Sequence, residues 1–209
     1  MSHVVLLGDS IFDNASYVPG KPAVIDQLRH QLGNSWQATL LAIDGNVSRD
    51  VQYQTKDLPE DASHLIVSCG GNDALQTSSI LYEPADSVAE ALSMLTDARL
   101  EFQSQYNQML KHVMALKLPT AVCTIYDSIP DLEPIAVTAL SIFNDVIIRE
   151  AISVGFTIID LRLTCNDARD YSPLSPIEPS AVGGQKIVNA ICQLLRNHDF
   201  GQNHSAVYF

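Results

Sequence analysis

Five short apolar runs are spaced along the chain, and each contains few polar positions. They are His3–Leu7, Trp36–Ile43, His64–Cys69, Thr120–Ile125 and Thr157–Leu161. Short runs that are apolar nearly throughout are typical of strands buried on both faces, as in parallel sheets. The pattern therefore predicts five parallel strands.

Longer segments separate these runs, and apolar residues recur in them at helical spacing. Helices are predicted over Pro22–Gly33, Ala85–Leu116 and Ile135–Val154, with a last one from Ser180 or Gly183 to about Arg196. Strands that alternate with helices predict a three-layer α/β/α sandwich around a parallel sheet. We predict a single domain over residues 1–209. Its tail, Asn197–Phe209, is expected to be frayed, a lid or a dimer contact.

The composition narrows the class of protein. The chain is 46% hydrophobic and 17% charged, as expected of a globular fold, and its net charge of −12 argues against binding to nucleic acids or anionic membranes. Its four cysteines lack paired spacing, so no metal site is expected, and Cys69 and Cys123 are predicted to be buried thiols. With no signal sequence or long apolar run in view, we expect a cytoplasmic protein with reduced cysteines.

Polar or glycine-rich turns follow the first three predicted strands. They contain Gly8-Asp9-Ser10, Gly45, and Gly70-Gly71-Asn72-Asp73. The carboxyl ends of parallel strands meet at one edge of the sheet, where the ligand sites of α/β proteins lie. The sequence therefore predicts that these turns converge on one site.

The residue types in these turns fit nucleophilic catalysis. Ser10 is a candidate nucleophile that needs a base, and Ser10 N–H, Gly45 N–H and the Asn72 amide are candidate donors to an oxyanion. Asp9 and Asp73 are supporting candidates; Asp73 is expected to order its loop or to hydrogen-bond near Ser10. Taken singly, each motif is also compatible with an ordinary turn, in which Asp9-Ser10 caps a helix or Gly45 supplies a positive φ.

Together with a late Pro179-Ser180 and Gly183, these motifs resemble the SGNH, or GDSL, hydrolase family over nearly the whole chain. The resemblance implies a flavodoxin-like fold with five parallel strands in the order 2-1-3-4-5. It also implies that Ser10 is the nucleophile and that Ser10, Gly45 and Asn72 form the oxyanion hole. The family hydrolyses esters and thioesters of lipids, acylated sugars and related molecules. We therefore expect a small-molecule ester or acylated substrate, no cofactor, and a monomer or homodimer.

The chain departs from this family at one motif. The family carries Asp-x-x-His before the proline, whereas Ser175 and Glu178 occupy those positions here. One hypothesis makes Glu178 the base, held by the Ser175 hydroxyl. The other is that Glu178 only caps the last helix, whose start attracts carboxylates.

None of the six histidines is well placed to serve as the base. His3 and His64 begin strands at the edge away from the site, His30 and His112 lie on helices, and His198 and His204 lie in the tail. Only a tail folded back onto the site would deliver a histidine.

Three functions remain open on the sequence. The first is a serine esterase or acylhydrolase that cleaves small carboxylic esters with a non-standard base. The second is a catalytically impaired protein that uses the same pocket to bind an ester or an acylated sugar. The third, a flavodoxin-like cofactor domain, is disfavoured because Gly8-Asp9-Ser10 lacks a phosphate-binding run of Ser, Thr and Gly.

Overall fold

The computed structural model describes residues 2–201 and 205–209. One parallel sheet forms its centre, with strands in the order β2-β1-β3-β4-β5-β6. The strands are β1 (Ser2–Gly8), β2 (Trp36–Leu40), β3 (His64–Ser68), β4 (Thr120–Cys123), β5 (Thr157–Ile159) and β6 (Val207–Tyr208). The α/β class and the order of the first five strands are confirmed.

The sixth strand corrects the prediction for the tail. Ile158 N–H donates to Ala206 O and Asp160 N–H donates to Tyr208 O, both at 2.8 Å. The backbone of β5 would otherwise be unpaired along this edge, so the described end of the tail is an edge strand rather than a frayed segment or a lid. His204, one of the two tail histidines, lies outside the described residues.

Four long or medium helices agree with the predicted ones to within three residues at either end, and three short helices were not predicted. The helices are α1 (Val24–Leu32), α2 (Val51–Gln54), α3 (Gly71–Thr77), α4 (Val88–Ala115), α5 (Pro134–Ser153), α6 (Leu161–Thr164) and α7 (Ala181–Asn197).

The start of α7 decides one open question. The Ser180 hydroxyl accepts hydrogen bonds from Val182 N–H at 3.1 Å and Gly183 N–H at 3.2 Å, so Ser180 is the N-cap. The hypothesis that Glu178 caps this helix is therefore wrong, and the Glu178 carboxylate needs another explanation.

Alternate strand residues supply the two cores on opposite faces of the sheet. Val4, Leu6 and Ile66 pack beneath α1 and α7, whereas Val5 and Leu7 pack beneath α4 and α5. All four cysteines are buried and free, as predicted for Cys69 and Cys123. Within residues 2–201 and 205–209, no helix is long and apolar enough to cross a membrane.

Candidate active site

Gly8 ends β1 and fixes where the chain turns. Its φ is +125°, and a Cβ atom added there would lie 1.7 Å from the carbonyl oxygen of Ser68 on the neighbouring strand. The Gln54 side chain holds the Gly8 backbone from the other side: Gly8 N–H donates to Oε1 at 2.8 Å, and Nε2 donates to Gly8 O at 2.7 Å. The start of the turn is therefore fixed by packing and by a buried amide.

Ser10 follows in a turn that Asp9 organises. Asp9 N–H donates to Ser68 O at 3.0 Å, and its Oδ1 accepts from Ile11 N–H at 3.1 Å. Ser10 is buried, and its own N–H donates to no group among the described residues. This backbone donor is available to a ligand.

Gly45 and Asn72 lie in the adjoining loops. Gly45 has a φ of +81°, and its N–H likewise has no acceptor within the described part of the chain. The Asn72 amide donates one hydrogen to Asn46 O at 2.9 Å, which leaves its second hydrogen free. Gln54 Nε2 also reaches Asn46 Oδ1 at 2.8 Å. Because Gln54 contacts Gly8 as well, it sets the Gly45 loop against the Ser10 turn.

Asp73 secures this loop rather than Ser10. Its carboxylate accepts from Ser48 N–H at 3.0 Å and from the Ser48 hydroxyl at 2.6 Å. Burial raises the pKa of Asp73, and these two hydrogen bonds partly oppose the rise. Asp73 thus anchors the segment just after Gly45.

Glu178 meets the Ser10 side chain. Only 4% of Glu178 is exposed, and burial raises the pKa of its carboxyl group to about 7. The neighbouring Ser10 hydroxyl lowers that pKa in part, and the nearby charge of Asp44 raises it further. The other carboxylate oxygen, Oε2, is buried and has no hydrogen-bond partner among the described residues. The site thus holds a carboxylate with a spare acceptor.

The loop that carries Glu178 is held through its backbone. Glu178 N–H donates to Ser175 O at 3.0 Å, and Ser172 N–H donates to Glu178 O at 2.8 Å. The structure therefore brings Ser175 and Glu178 together through main-chain atoms, and no bond from the Ser175 hydroxyl to the carboxylate is found in the described structure.

Two side chains that the sequence analysis missed complete this support. Asn14 Nδ2 donates to Pro179 O at 3.1 Å, and the Tyr126 hydroxyl donates to Ile177 O at 2.7 Å. Both bonds reach the residues that flank Glu178. Isolated Asn and Tyr residues carry no sequence signal for such contacts, because their partners are distant backbone atoms.

Asp9 differs from an ordinary aspartate. Burial raises its pKa to about 8, against the Ile11 N–H bond that lowers it, and the charges of Glu178 and Asp73 raise it further. Near neutral pH Asp9 therefore carries a proton, and its carboxyl group adds no negative charge beside Ser10.

A cavity of about 140 Å³ opens beside Ser10, Asn72 and Glu178. Most of its wall is apolar and comes from α3, from the N-terminal halves of α4 and α5, and from the segment after β4. No set of three or more His, Cys, Asp or Glu side chains is placed to hold a metal ion within the described part of the chain.

A model of the GDSL-like lipase/acylhydrolase family matches residues 6–186. The chain belongs to this family. The match spans Ser10, Gly45, Asn72 and Glu178, so every residue of the candidate site lies within it. No curated protein matches the chain.

Solved structures of GDSL-type and related enzymes share the fold at low sequence identity. The lipase Lip_vut3 from a goat rumen metagenome is 17% identical, with a TM-score of 0.73, over 98% of this chain and 100% of its own. The acetyl xylan esterase AlAXEase is 16% identical, with a TM-score of 0.68, over 92% of this chain and 99% of its own. Phospholipase A1 from Streptomyces albidoflavus is 18% identical, with a TM-score of 0.64, over 90% and 98%.

Among the described residues of this GDSL-family chain, no histidine lies beside Ser10. His3 bonds to Asp61 and Thr39 and His64 packs on Trp36, both at the strand starts. The remaining described ones are engaged or exposed elsewhere: His112 contacts Thr55, His198 contacts Thr157 and His30 is exposed on α1. None of them lines the cavity.

Proposed function

We propose that the protein hydrolyses small carboxylic esters, with Ser10 as the nucleophile and Glu178 as the general base. The placement of the two residues carries the proposal: Ser10 and Glu178 line the same cavity, and Ser10 is close enough to lower the pKa of the Glu178 carboxyl group. A nucleophile within hydrogen-bond reach of a base is the geometry that this chemistry requires. Family membership and the named activities of the lipase, phospholipase and acetyl xylan esterase neighbours support an ester substrate.

In the first half-reaction, Glu178 takes the Ser10 hydroxyl proton as Oγ forms a bond to the ester carbonyl carbon. The carbonyl π electrons move to oxygen and give a tetrahedral oxyanion. When this oxyanion collapses, the bond to the alcohol oxygen breaks, and protonated Glu178 returns the proton to that oxygen. The products are the alcohol and an acyl group on Ser10.

In the second half-reaction, Glu178 takes a proton from a water molecule that attacks the acyl carbonyl. Collapse of the second tetrahedral oxyanion releases Ser10, which recovers the proton, and a carboxylic acid. No cofactor is needed to balance either half.

The pKa of Glu178 makes it a competent replacement for histidine. An exposed glutamate titrates about two units below an imidazole and is a correspondingly weaker base. Burial raises the pKa of Glu178 to about 7, close to that of an ordinary histidine. The loss of basicity from the His-to-Glu change is thereby largely offset. Protonated Glu178 is neutral, however, so it lacks the cation that an imidazolium places near the oxyanion.

Stabilisation of the oxyanion is assigned to Ser10 N–H, Gly45 N–H and the Asn72 amide. The two backbone donors have no acceptor among the described residues, and Asn72 retains one free N–H. Removal of one such donor slows acyl transfer by roughly 100- to 1,000-fold in serine hydrolases. With a neutral protonated Glu178 in place of a histidine cation, these three donors are the groups that stabilise the oxyanion.

One observation favours the alternative, a catalytically impaired protein that binds an ester or acylated sugar. The predicted hydrogen bond from the Ser175 hydroxyl to the Glu178 carboxylate is not formed, and Glu178 Oε2 has no donor within the described structure. A base that lacks a second hydrogen bond is less firmly oriented. Ligand binding alone would tolerate this arrangement.

Labelling of Ser10 separates the two functions. We expect 4-nitrophenyl ethylphosphonate to release one equivalent of nitrophenol and to leave its mass on the peptide that contains Ser10. Glu178→Gln should slow both labelling and 4-nitrophenyl acetate hydrolysis by roughly 100-fold or more, the contribution typical of a general base. Glu101→Gln, the same change at an exposed site, is the control and should have no effect. An unlabelled Ser10, or full activity in Glu178→Gln, would reject the proposed mechanism.

A further inference from the structure

The cavity beside Ser10 has two distinct parts to its wall. Leu95 and Ala98 of α4 and Leu140 and Phe143 of α5 form one part, on the face of the sheet that these helices cover. Glu178, from the loop that precedes α7, belongs to the other part. In the proposed mechanism Glu178 protonates the departing alcohol, so the alcohol leaves at the Glu178 side of the cavity. The acyl group then extends toward α4 and α5.

The cavity offers few free polar groups to a ligand. Three hydroxyls in its wall already donate to protein oxygens: Thr77 to Ala74 O, Ser78 to Leu75 O and Thr124 to Asp160 Oδ1. A sugar placed against α4 and α5 would lose water and find few partners for its hydroxyls, which is unfavourable. An aliphatic chain has no such requirement and gains from leaving water.

The volume sets the length of that chain. An apolar protein cavity of about 150 Å³ holds one benzene molecule, which has six carbon atoms. The cavity here is of about 140 Å³ and therefore matches an aliphatic tail of similar carbon count.

We propose that the cavity between the N-terminal halves of α4 and α5 binds the acyl chain of the substrate and selects acyl groups of about six carbons. This inference rests on the proposed ester hydrolysis and names its substrate class. It places the apolar chain on the acid side of the ester and leaves the alcohol on the side of Glu178.

Two isomeric esters test the placement. Ethyl hexanoate and hexyl acetate have the same atoms and differ only in which side of the ester carries the long chain. Burial of each methylene is worth about a fourfold gain in binding. We expect kcat/KM for ethyl hexanoate to exceed that for hexyl acetate at least tenfold. Equal values, or a preference for hexyl acetate, would overturn the proposal while leaving ester hydrolysis by Ser10 intact.

A matched pair of variants tests the wall itself. Ala98→Phe fills the cavity from α4, whereas Ala89→Phe makes the same change on the exposed part of that helix, outside the lining residues. We expect Ala98→Phe to lower the ratio of kcat/KM for ethyl hexanoate over ethyl acetate at least tenfold, and Ala89→Phe to leave it unchanged. An unchanged ratio in both variants would contradict the assignment.

Binding without turnover separates this proposal from the hydrolase mechanism. Hexanamide, a neutral analogue, should bind the wild-type protein at least tenfold more tightly than acetamide by calorimetry, and Ala98→Phe should abolish the difference. Hexanamide binding in a protein that cleaves no ester would refute hydrolysis and support the cavity assignment. Ester cleavage without this difference would refute the cavity assignment alone.

Discussion

The Asn14 side chain connects the start of α1 to the loop that carries Glu178. Its Oδ1 accepts from Val24 N–H at 2.9 Å, and its Nδ2 donates to Pro179 O at 3.1 Å. Asn14 is fully buried and lies four residues after Ser10 in the chain. One amide therefore links the segment that follows Ser10 to the loop that carries Glu178, and we infer that Asn14 positions these two residues relative to each other.

We expect Asn14→Asp to weaken this link while preserving side-chain size. The carboxylate retains the acceptor for Val24 but loses the donor to Pro179 O, so the Glu178 loop should shift. A misplacement of about 1 Å slows catalysis by roughly 100-fold. Phosphonate labelling of Ser10, measured well below the unfolding temperature, should slow at least tenfold in Asn14→Asp. Labelling in Asn14→Ser should be slowed as well. Asn189→Asp, the same change at an exposed position of α7, is the control. Labelling at the wild-type rate in folded Asn14→Asp would limit Asn14 to a role in stability.

The rate of ester hydrolysis should depend on pH in a bell shape. Glu178 acts as a base only when ionised, and its pKa is about 7, so kcat/KM should fall about tenfold per unit below that pH. Asp9 loses its proton near pH 8 and then places a second negative charge beside the oxyanion, which should lower the rate. The kcat/KM of wild type and Asp9→Asn from pH 5 to 9 checks this. Asp9→Asn should lose the alkaline limb; a flat profile in the wild type would contradict a Glu178 base.

The stability of the fold should respond to pH with the opposite sign from a salt-bridged carboxylate. The pKa of Glu178 rises from 4.5 to about 7 on folding, so the folded state binds this proton more tightly. Its contribution to the free energy of unfolding is therefore lost as pH rises from about 4.5 through about 7. Glu178→Gln should raise the melting temperature at pH 8 by several degrees and leave it nearly unchanged at pH 4. Glu101→Gln should show no such pH-dependent gain.

Two adjacent glycines of α7 should respond differently to alanine. A Cβ atom at Gly183 would lie 2.1 Å from the backbone oxygen of Asp170, whereas at Gly184 the nearest atom is the Gln27 side-chain Oε1 at 2.8 Å. Backbone cannot yield cheaply, so Gly183→Ala should lower the free energy of unfolding by about 2 kcal/mol or more. Gly184→Ala should change it much less, because alanine favours the helix by about 1 kcal/mol. Urea unfolding of both variants provides the measurement.

The sequence predicted the elements whose burial leaves a clear pattern. Strands β1, β3, β4 and β5 are buried on both faces, and α4 and α5 are long enough for helical spacing to be seen. By contrast, β6 has two residues and α2 has four, too few for either period to be recognised. β6 pairs with the backbone of the edge strand β5, and α2 places the Gln54 side chain on Gly8, so both depend on contacts that only the tertiary structure supplies.

The residues of the candidate site also divide into those that the sequence located and those that it did not. Ser10, Gly45, Asn72 and Glu178 could be located because they lie in turns after strands or in register with a family motif. Gln54 could not, because its partners Gly8 and Asn46 are backbone and side-chain groups that only the fold brings together. The role of Ser175 shows a further limit. Register placed it near Glu178, but register does not determine whether the hydroxyl or the carbonyl makes the contact.

The glycine of the Gly-Asp-Ser motif is required by the fold and not by the chemistry of Ser10. The approach of β1 to β3 leaves no room for a side chain there, since the Ser68 carbonyl would lie 1.7 Å from its first carbon. That restriction comes from strand packing and would persist in a chain whose Ser10 had stopped reacting. The presence of Gly8 therefore indicates that the sheet is intact, whether or not the protein is an active enzyme. Evidence of chemistry has to be sought at Glu178, which strand packing does not constrain.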